Sequence, residues 1–190
     1  MPKTLPDPVV IVLAAGQGTR FRASGGQVHK LDAALAGLPV LQHVIRAVTA
    51  SGLPWHVVHH ASGAGMGDSI AAGINATVDA PGWLILPGDL PLVTPHSLRC
   101  VAQALATYTV VVPHWQQHRG HPVGFSAACR DALMQLSGEM GAASVVRHYR
   151  TSNEVLDLAL HDRGIITDID TVADLAGAES LLASRSRPSR

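Results

Sequence analysis

Residues 9–14 form an unbroken apolar run rich in β-branched side chains, the pattern of a strand covered on both faces. The run ends at Gly16-Gln17-Gly18. Over 39–50 the apolar positions Val40, Leu41, Val44, Ile45 and Val48 recur at helical spacing. Pro39 fits the first helical position there, and Gly52 the stop. Residues 55–60 read as a second strand, 69–78 as a short helix, and 83–86 as a third strand running into Pro87-Gly88-Asp89. Thr94 can cap a helix over 95–106, with Pro95 in its first turn. Residues 109–112 and 122–125 read as strands, 127–136 and 141–149 as helices, 154–160 as extended and 174–182 as helical. Strands separated by short helices predict one Rossmann-like α/β domain, a mostly parallel sheet with helices on both faces. The domain is expected over 1–183. Residues 184–190 alternate serine, arginine and proline without an apolar anchor and are expected to form a flexible tail.

Composition narrows the partners. Lysine plus arginine equals aspartate plus glutamate at 14 each, which argues against a protein that lives on the phosphate charge of DNA or RNA. A small anion held in a local basic pocket stays open. The first eight residues lack the basic start and apolar core of a signal peptide, and the apolar run that follows is too short to cross a bilayer. Cys100 and Cys129 have no Cys-x-x-Cys partner and read as thiols in a reducing compartment, so a cytoplasmic location away from membranes is expected.

Three places carry candidate chemistry. The first is the loop Ala14-Ala15-Gly16-Gln17-Gly18-Thr19-Arg20 behind the first strand. Its glycines let backbone N–H groups approach phosphate oxygens, and Arg20 and Lys30 can neutralise a triphosphate. It has neither the third glycine of a dinucleotide fingerprint nor the Gly-Lys-Ser/Thr end of a Walker A loop, and an ordinary turn is the competing reading. The second is Pro87-Gly88-Asp89-Leu90-Pro91, which puts one carboxylate where a parallel strand ends, the edge at which open α/β sheets bind ligands. Asp89 suits a hard cation such as Mg²⁺, whose ligands are carboxylates and substrate phosphates. An aspartate turn is the alternative there. The third is Asp168-Ile169-Asp170-Thr171, where either Asp168 or Asp170 could add a second carboxylate, Asp170 being favoured, unless it only caps the helix leading to Asp174.

Two further segments are glycine-punctuated: Gly63-Ala64-Gly65-Met66-Gly67-Asp68-Ser69 and Arg119-Gly120-His121-Pro122. Glycines in the first could leave room for a flat base, with Ser69 as a helix cap or a ligand contact; the second places two basic-capable side chains before an apolar strand. Plain turns would explain both. His59-His60 and His114-x-x-x-His118 lack convincing zinc spacing.

Ala14-Ala15-Gly16-x-Gly18-x-Arg20-Phe21 followed by His29-Lys30-Leu31 resembles the signature of the MobA-like nucleotidyltransferases, most of all the MocA branch, the molybdenum cofactor cytidylyltransferases. The Gly-Asp-x-Pro, Gly-Met-x-x-Ser, Arg-Gly-His-Pro and Asp-Ile-Asp-Thr segments look like motifs of the same branch. Two features depart from it: a longer stretch between Arg20 and Lys30, and Glu139 where the family has aspartate. The resemblance implies that Gly16, Gly18, Thr19, Arg20 and Lys30 contact the triphosphate and that Ala14 and Ala15 belong to the same nucleotide-binding loop. It implies that Gly67, Ser69 and Gly88 line the nucleotide side, that Arg119 and His121 line the acceptor side, and that Asp89 and Asp170 hold Mg²⁺.

The reaction implied is Mg²⁺-dependent transfer of CMP from CTP to molybdopterin, releasing pyrophosphate, with a molybdoenzyme or its maturation chaperone as a downstream partner. Arg20, Lys30 and Asp89 would carry the catalysis. The Ala15 methyl, where guanylyltransferases of the MobA type usually have glycine, would favour a pyrimidine. MobA-type guanylyl transfer, transfer to another small metabolite, and non-catalytic carriage of the molybdenum cofactor are the competing expectations.

Overall fold

The computed structural model describes residues 6–59 and 65–185. The expectations for His60, Gly63, Ala64 and residues 186–190 lie outside them. In chain order the elements are β1 (Val9–Leu13), α1 (Thr19–Ala23), β2 (Ala34–Leu35), β3 (Leu38–Pro39), α2 (Val40–Ser51), β4 (Trp55–Val58), α3 (Met66–Ala76), β5 (Gly82–Pro87), α4 (Pro95–Ala104), β6 (Val110–Trp115), β7 (His118–Arg119), β8 (Val123–Ser126), α5 (Arg130–Met134), α6 (Ala143–Thr151), β9 (Val155–Ala159) and α7 (Val172–Arg185).

The period-2 alternation of the strands divides the core in two. Val10 and Val12 of β1, Leu84 and Leu86 of β5 and Val111 of β6 face one side, where they meet Val44, Ala47 and Val48 of α2 and Leu98 and Val101 of α4. Ile11, Trp83, Ile85, Val110 and Val112 face the other side, against Ile70 and Ile74 of α3 and Leu133 of α5. The central strands β1 and β5 are apolar throughout because both of their faces are covered. Helices therefore lie on both sides of one sheet, as expected.

The sheet order is β4-β1-β5-β8-β6-β7, with β9 on the free side of β6. Strands β4, β1 and β5 pair in parallel, and so do β6 and β9. The departure is β8, which inserts antiparallel between β5 and β6, so that the sheet is mixed. Its cause is local. From β6 the chain turns through Gln116, which has φ 54°, into β7, and it re-enters the sheet after a connection of three residues. A parallel return would need a crossover of a dozen or more residues.

Several boundaries differ from the sequence reading. Pro39 is the residue before α2, with ψ 143°, and it still pairs with Ala34 in the small β2–β3 ladder; Gly52 is the left-handed stop. Thr94 caps α4 by accepting the Ser97 N–H at 3.2 Å, with Pro95 next, as expected. Helix α3 starts three residues before the expected Ser69. The expected helix 127–136 divides into a 3₁₀ turn, Ala127–Cys129, and α5. Helix α7 continues through Arg185, whose guanidinium pairs with Asp162 at 2.9 Å, so the fold extends past the boundary expected at residue 183. Among the described residues no helix is long and apolar enough to cross a membrane.

Candidate active site

The C-terminal ends of β1 and β5 open into a cleft of ≈ 730 Å³. Leu13 and Pro87 are neighbours in the β1–β5 register, so the loops that follow, 14–18 and 88–91, emerge side by side. The Gly88 N–H donates to Leu13 O at 2.8 Å, and a Cβ on Gly88 would meet that oxygen at 2.9 Å. Gly88 is therefore required for the two loops to touch.

Gly18, in the left-handed region at φ 63°, turns the first loop into α1. His29 braces that loop from outside: its Nε2 lies 2.7 Å from Gly16 O, and its Nδ1 lies 3.2 Å from the Leu31 amide. The tautomer protonated at Nε2 satisfies both contacts, donating to the carbonyl and accepting the amide. Lys30 thereby enters the cleft between two tethered backbone positions. The longer stretch before it folds back compactly, Gly26 N–H donating to Phe21 O at 3.1 Å.

Lys30 Nζ lies 2.6 Å from Asp89 Oδ2 and 2.9 Å from Asp170 Oδ1, while Arg20 pairs with the other oxygen of Asp170 at 2.8 Å. Arg20 and Lys30, expected from sequence as phosphate contacts, thus form one cluster with Asp89 and Asp170, expected as cation ligands. Burial alone would lower the Lys30 pKa, but the hydrogen bonds and charges of Asp89 and Asp170 outweigh it and hold the amine above its usual value. A backbone bond brings the two acids together across the sequence: the Ile169 N–H donates to Asp89 O at 2.9 Å.

Of the two candidates in 168–170, Asp170 is the one in this cluster. It is also free of capping duty. Thr171 and Asp174 cap α7 between them, with Asp174 Oδ2 accepting from the Thr171 N–H and hydroxyl at 2.7 Å each, and the Thr171 bond holds the Asp174 carboxyl below its usual range. Asp168 lines the cleft, but burial and the nearby Asp170 and Asp89 charges raise its pKa.

The donor set fits a hard cation. One ammonium already sits within 3 Å of an oxygen from each of two carboxylates, so a cation at that point would find both, with phosphates and water to complete its shell.

Ala15, Gly16, Gly18, Thr19, Ser69, Gly88, Arg119 and His121 also line the cleft. Ala14 and Gly67 do not. The Ala14 N–H donates to Val58 O at 2.9 Å, continuing the sheet edge. Gly67 lies under residues 137–140, where its N–H donates to Gly138 O at 2.8 Å and a Cβ would meet Met140 O at 2.6 Å and Ser137 N at 2.7 Å. The glycine there serves packing. Gly67→Ala should lose about 1–3 kcal/mol of stability in denaturant unfolding; an unchanged midpoint would contradict the packing role.

His121 reaches the cleft through a cis bond to Pro122, and its N–H donates to Ile165 O at 2.9 Å. Its Nδ1 is buried, with no hydrogen-bond partner among the described residues. Burial lowers its pKa, against the pull of Asp89. The sequence carries no signal for the brace made by His29, although the residue lies within a motif, or for Asp162, which joins Thr94, Ser97 and Arg185 to the neighbouring Gly164. Met66, from the Gly-Met-x-x-Ser segment, lines the cleft, and so does Ile166, which no motif marked.

Residues 49–155, more than half of the chain, match the family model of the MobA-like NTP transferase domain. The chain belongs to that family. The matched stretch contains Asp89, Arg119 and His121, whereas the glycine loop, Lys30 and Asp170 lie outside it. The bifunctional protein GlmU of Xanthomonas campestris pv. campestris is 30% identical over 188 residues, covering 86% of this chain and 38% of that protein. The chain thus spans well under half the length of that curated relative. Among solved structures, Rv0371c of Mycobacterium tuberculosis in complex with manganese aligns at a TM-score of 0.67 with 22% identity, over 92% of this chain and 98% of that one. Molybdopterin-guanine dinucleotide biosynthesis protein A of Archaeoglobus fulgidus aligns at 0.63 with 17% identity, over 93% and 99%. The fold and family are those of a nucleotidyltransferase.

Proposed function

We propose that the cleft transfers a nucleotidyl group from a nucleoside triphosphate to a phosphorylated acceptor. An acceptor phosphate oxygen forms a bond to the α-phosphorus, the bond from that phosphorus to the bridging oxygen breaks, and pyrophosphate leaves with the electron pair. The observation that carries this reading is the convergence of Asp89 and Asp170 on one cation-sized point beside the glycine loop and Arg20. A phosphate oxygen is already anionic near neutral pH, so alignment and charge neutralisation are what the site must supply.

The Gly16–Gly18 backbone would cradle the phosphates, with Arg20 and Lys30 taking the charge of the departing pyrophosphate. Asp89 and Asp170 would hold a divalent cation, Mg²⁺ by the resemblance, which supplies electrophilic stabilisation of the phosphoryl oxygens. The manganese complex of the mycobacterial neighbour supports a divalent ion in this fold. Arg119 and His121, which also line the cleft, would receive the acceptor.

We take the acceptor to be of the molybdopterin type and guanylyl transfer to be the leading reaction, because the neighbour whose name includes molybdopterin names the guanine dinucleotide. That reverses the order the sequence resemblance suggested. Cytidylyl transfer is the second reading, favoured by one observation: Ala15, whose methyl would crowd a purine, lines the cleft. The kcat/KM ratio of GTP to CTP with one molybdopterin-type acceptor tests the order. A ratio above one supports guanylyl transfer. A ratio below one that Ala15→Gly moves toward one supports cytidylyl transfer selected at Ala15, the shift being worth roughly 1–3 kcal/mol. Equal use of ATP and UTP would defeat both.

A further inference from the structure

Lys30 is paired with the two carboxylates that the proposed reaction needs for its cation. Its side chain is only 14% exposed, its nitrogen lies 2.6 Å and 2.9 Å from Asp89 and Asp170, and Asp170 gives its remaining oxygen to Arg20. Two acids and two bases therefore satisfy one another within the cleft. We propose that Lys30 is a placeholder: its ammonium closes the cation site of the nucleotide-free protein, and arrival of a divalent cation with its triphosphate exchanges the partners. The carboxylates pass to the cation, while Lys30 and Arg20 pass to the phosphates.

The electrostatics favour this order. Two carboxylates left unpaired in a partly buried cleft are costly, and Lys30 removes that cost in the resting protein. A divalent cation arriving alone must displace an ammonium that then has no anion to meet. Arriving with a triphosphate, it supplies that anion, so every charge remains paired after the exchange. Cation and nucleotide should therefore bind with positive coupling, each raising the affinity of the other by the same factor. The tether at His29 keeps Lys30 beside the glycine loop, so a change of side-chain direction is enough to move the amine between the two sets of partners.

The inference rests on Asp89 and Asp170 being the cation ligands, and its test separates the two claims. Mn²⁺ binding without nucleotide is measured by electron paramagnetic resonance on wild type, Lys30→Met and Asp89→Asn. Lys30→Met should bind Mn²⁺ at least about tenfold more tightly than wild type. In wild type, acylation of the Lys30 amine is followed by peptide mass spectrometry with Lys3, the only other lysine, as internal reference. Acylation of Lys30 should rise with saturating Mn²⁺ alone and fall when an α,β-methylene triphosphate is added. If Asp89→Asn weakens Mn²⁺ binding but Lys30→Met does not tighten it and Lys30 acylation ignores Mn²⁺, the ligands stand and the placeholder is overturned. If Asp89→Asn leaves Mn²⁺ binding intact, the ligand assignment falls and takes the placeholder with it. Should Lys30→Met fail to fold, the wild-type acylation result decides.

Discussion

Asp89→Asn is expected to fold as wild type and to lose cation-dependent turnover on the order of a hundredfold, the scale of removing one group that stabilises developing charge. The substitution keeps shape and removes only the negative charge. Lys30 would keep Asp170 as a partner, so the resting cluster is weakened rather than broken. The backbone bond from Ile169 to Asp89 O is untouched, and residues 168–170 should stay in register with the β5 loop. Thermal unfolding and steady-state kinetics over a range of Mg²⁺ or Mn²⁺ concentrations check this together. Near-normal turnover from a folded variant would remove Asp89 from the cation site.

The largest effect on stability is expected at Asp162, well away from the cluster. This carboxylate is 6% exposed and organises three segments. One oxygen accepts from the Thr94 N–H at 3.0 Å, the Thr94 hydroxyl at 2.9 Å and the Ser97 hydroxyl at 2.7 Å, fixing the start of α4. The other accepts from the Gly164 N–H at 2.8 Å and from Arg185 at 2.9 Å, fixing the 3₁₀ turn Arg163–Ile166 and the end of α7. Asp162→Ala leaves these donors without their acceptor and leaves Arg185 with only the Leu92 carbonyl, at 2.7 Å, among the described residues. A loss of about 3 kcal/mol follows from that desolvation. Because Ile165 O holds the His121 amide, the acceptor wall should loosen as well. Denaturant unfolding reads the first effect and acceptor KM the second. A loss within about 0.5 kcal/mol, the level of an ordinary surface substitution, would contradict the account of Asp162.

The alternation of strands and helices was legible in the chain because each buried strand is apolar along its length and each helix carries one apolar face. What was not legible arises from how the segments pair in the finished sheet. Nothing in Pro122 to Phe125 distinguishes a strand that runs with its neighbours from one that runs against them; the short return from β7 decides it. The Ala36-Gly37 hairpin turn carries a local signal in its glycine, but its strands are two residues long and leave no alternation to read.

At the site, the residues with loop-and-strand-end signatures, Gly18, Arg20, Gly88 and Asp89, were found from sequence. Asp170 was already favoured over Asp168 from sequence; its place beside Asp89 comes from the Asp89–Ile169 backbone bond, and the cap made by Thr171 and Asp174 removes its rival use. Gly67 was misplaced because a glycine that admits a ligand and one that admits a neighbouring loop have the same local sequence. The 137–140 segment that covers it is 70 residues away.

The central claim is that the α-phosphoryl group moves to an acceptor. The most direct measurement uses wild-type protein, a divalent cation and GTP or CTP labelled separately at the α- and γ-phosphates, with and without a molybdopterin-type acceptor. The account predicts that the α-label appears on the acceptor and the γ-label in pyrophosphate, both only when acceptor and cation are present. Release of the γ-label as inorganic phosphate, or of the α-label as free nucleoside monophosphate independent of acceptor, would contradict it.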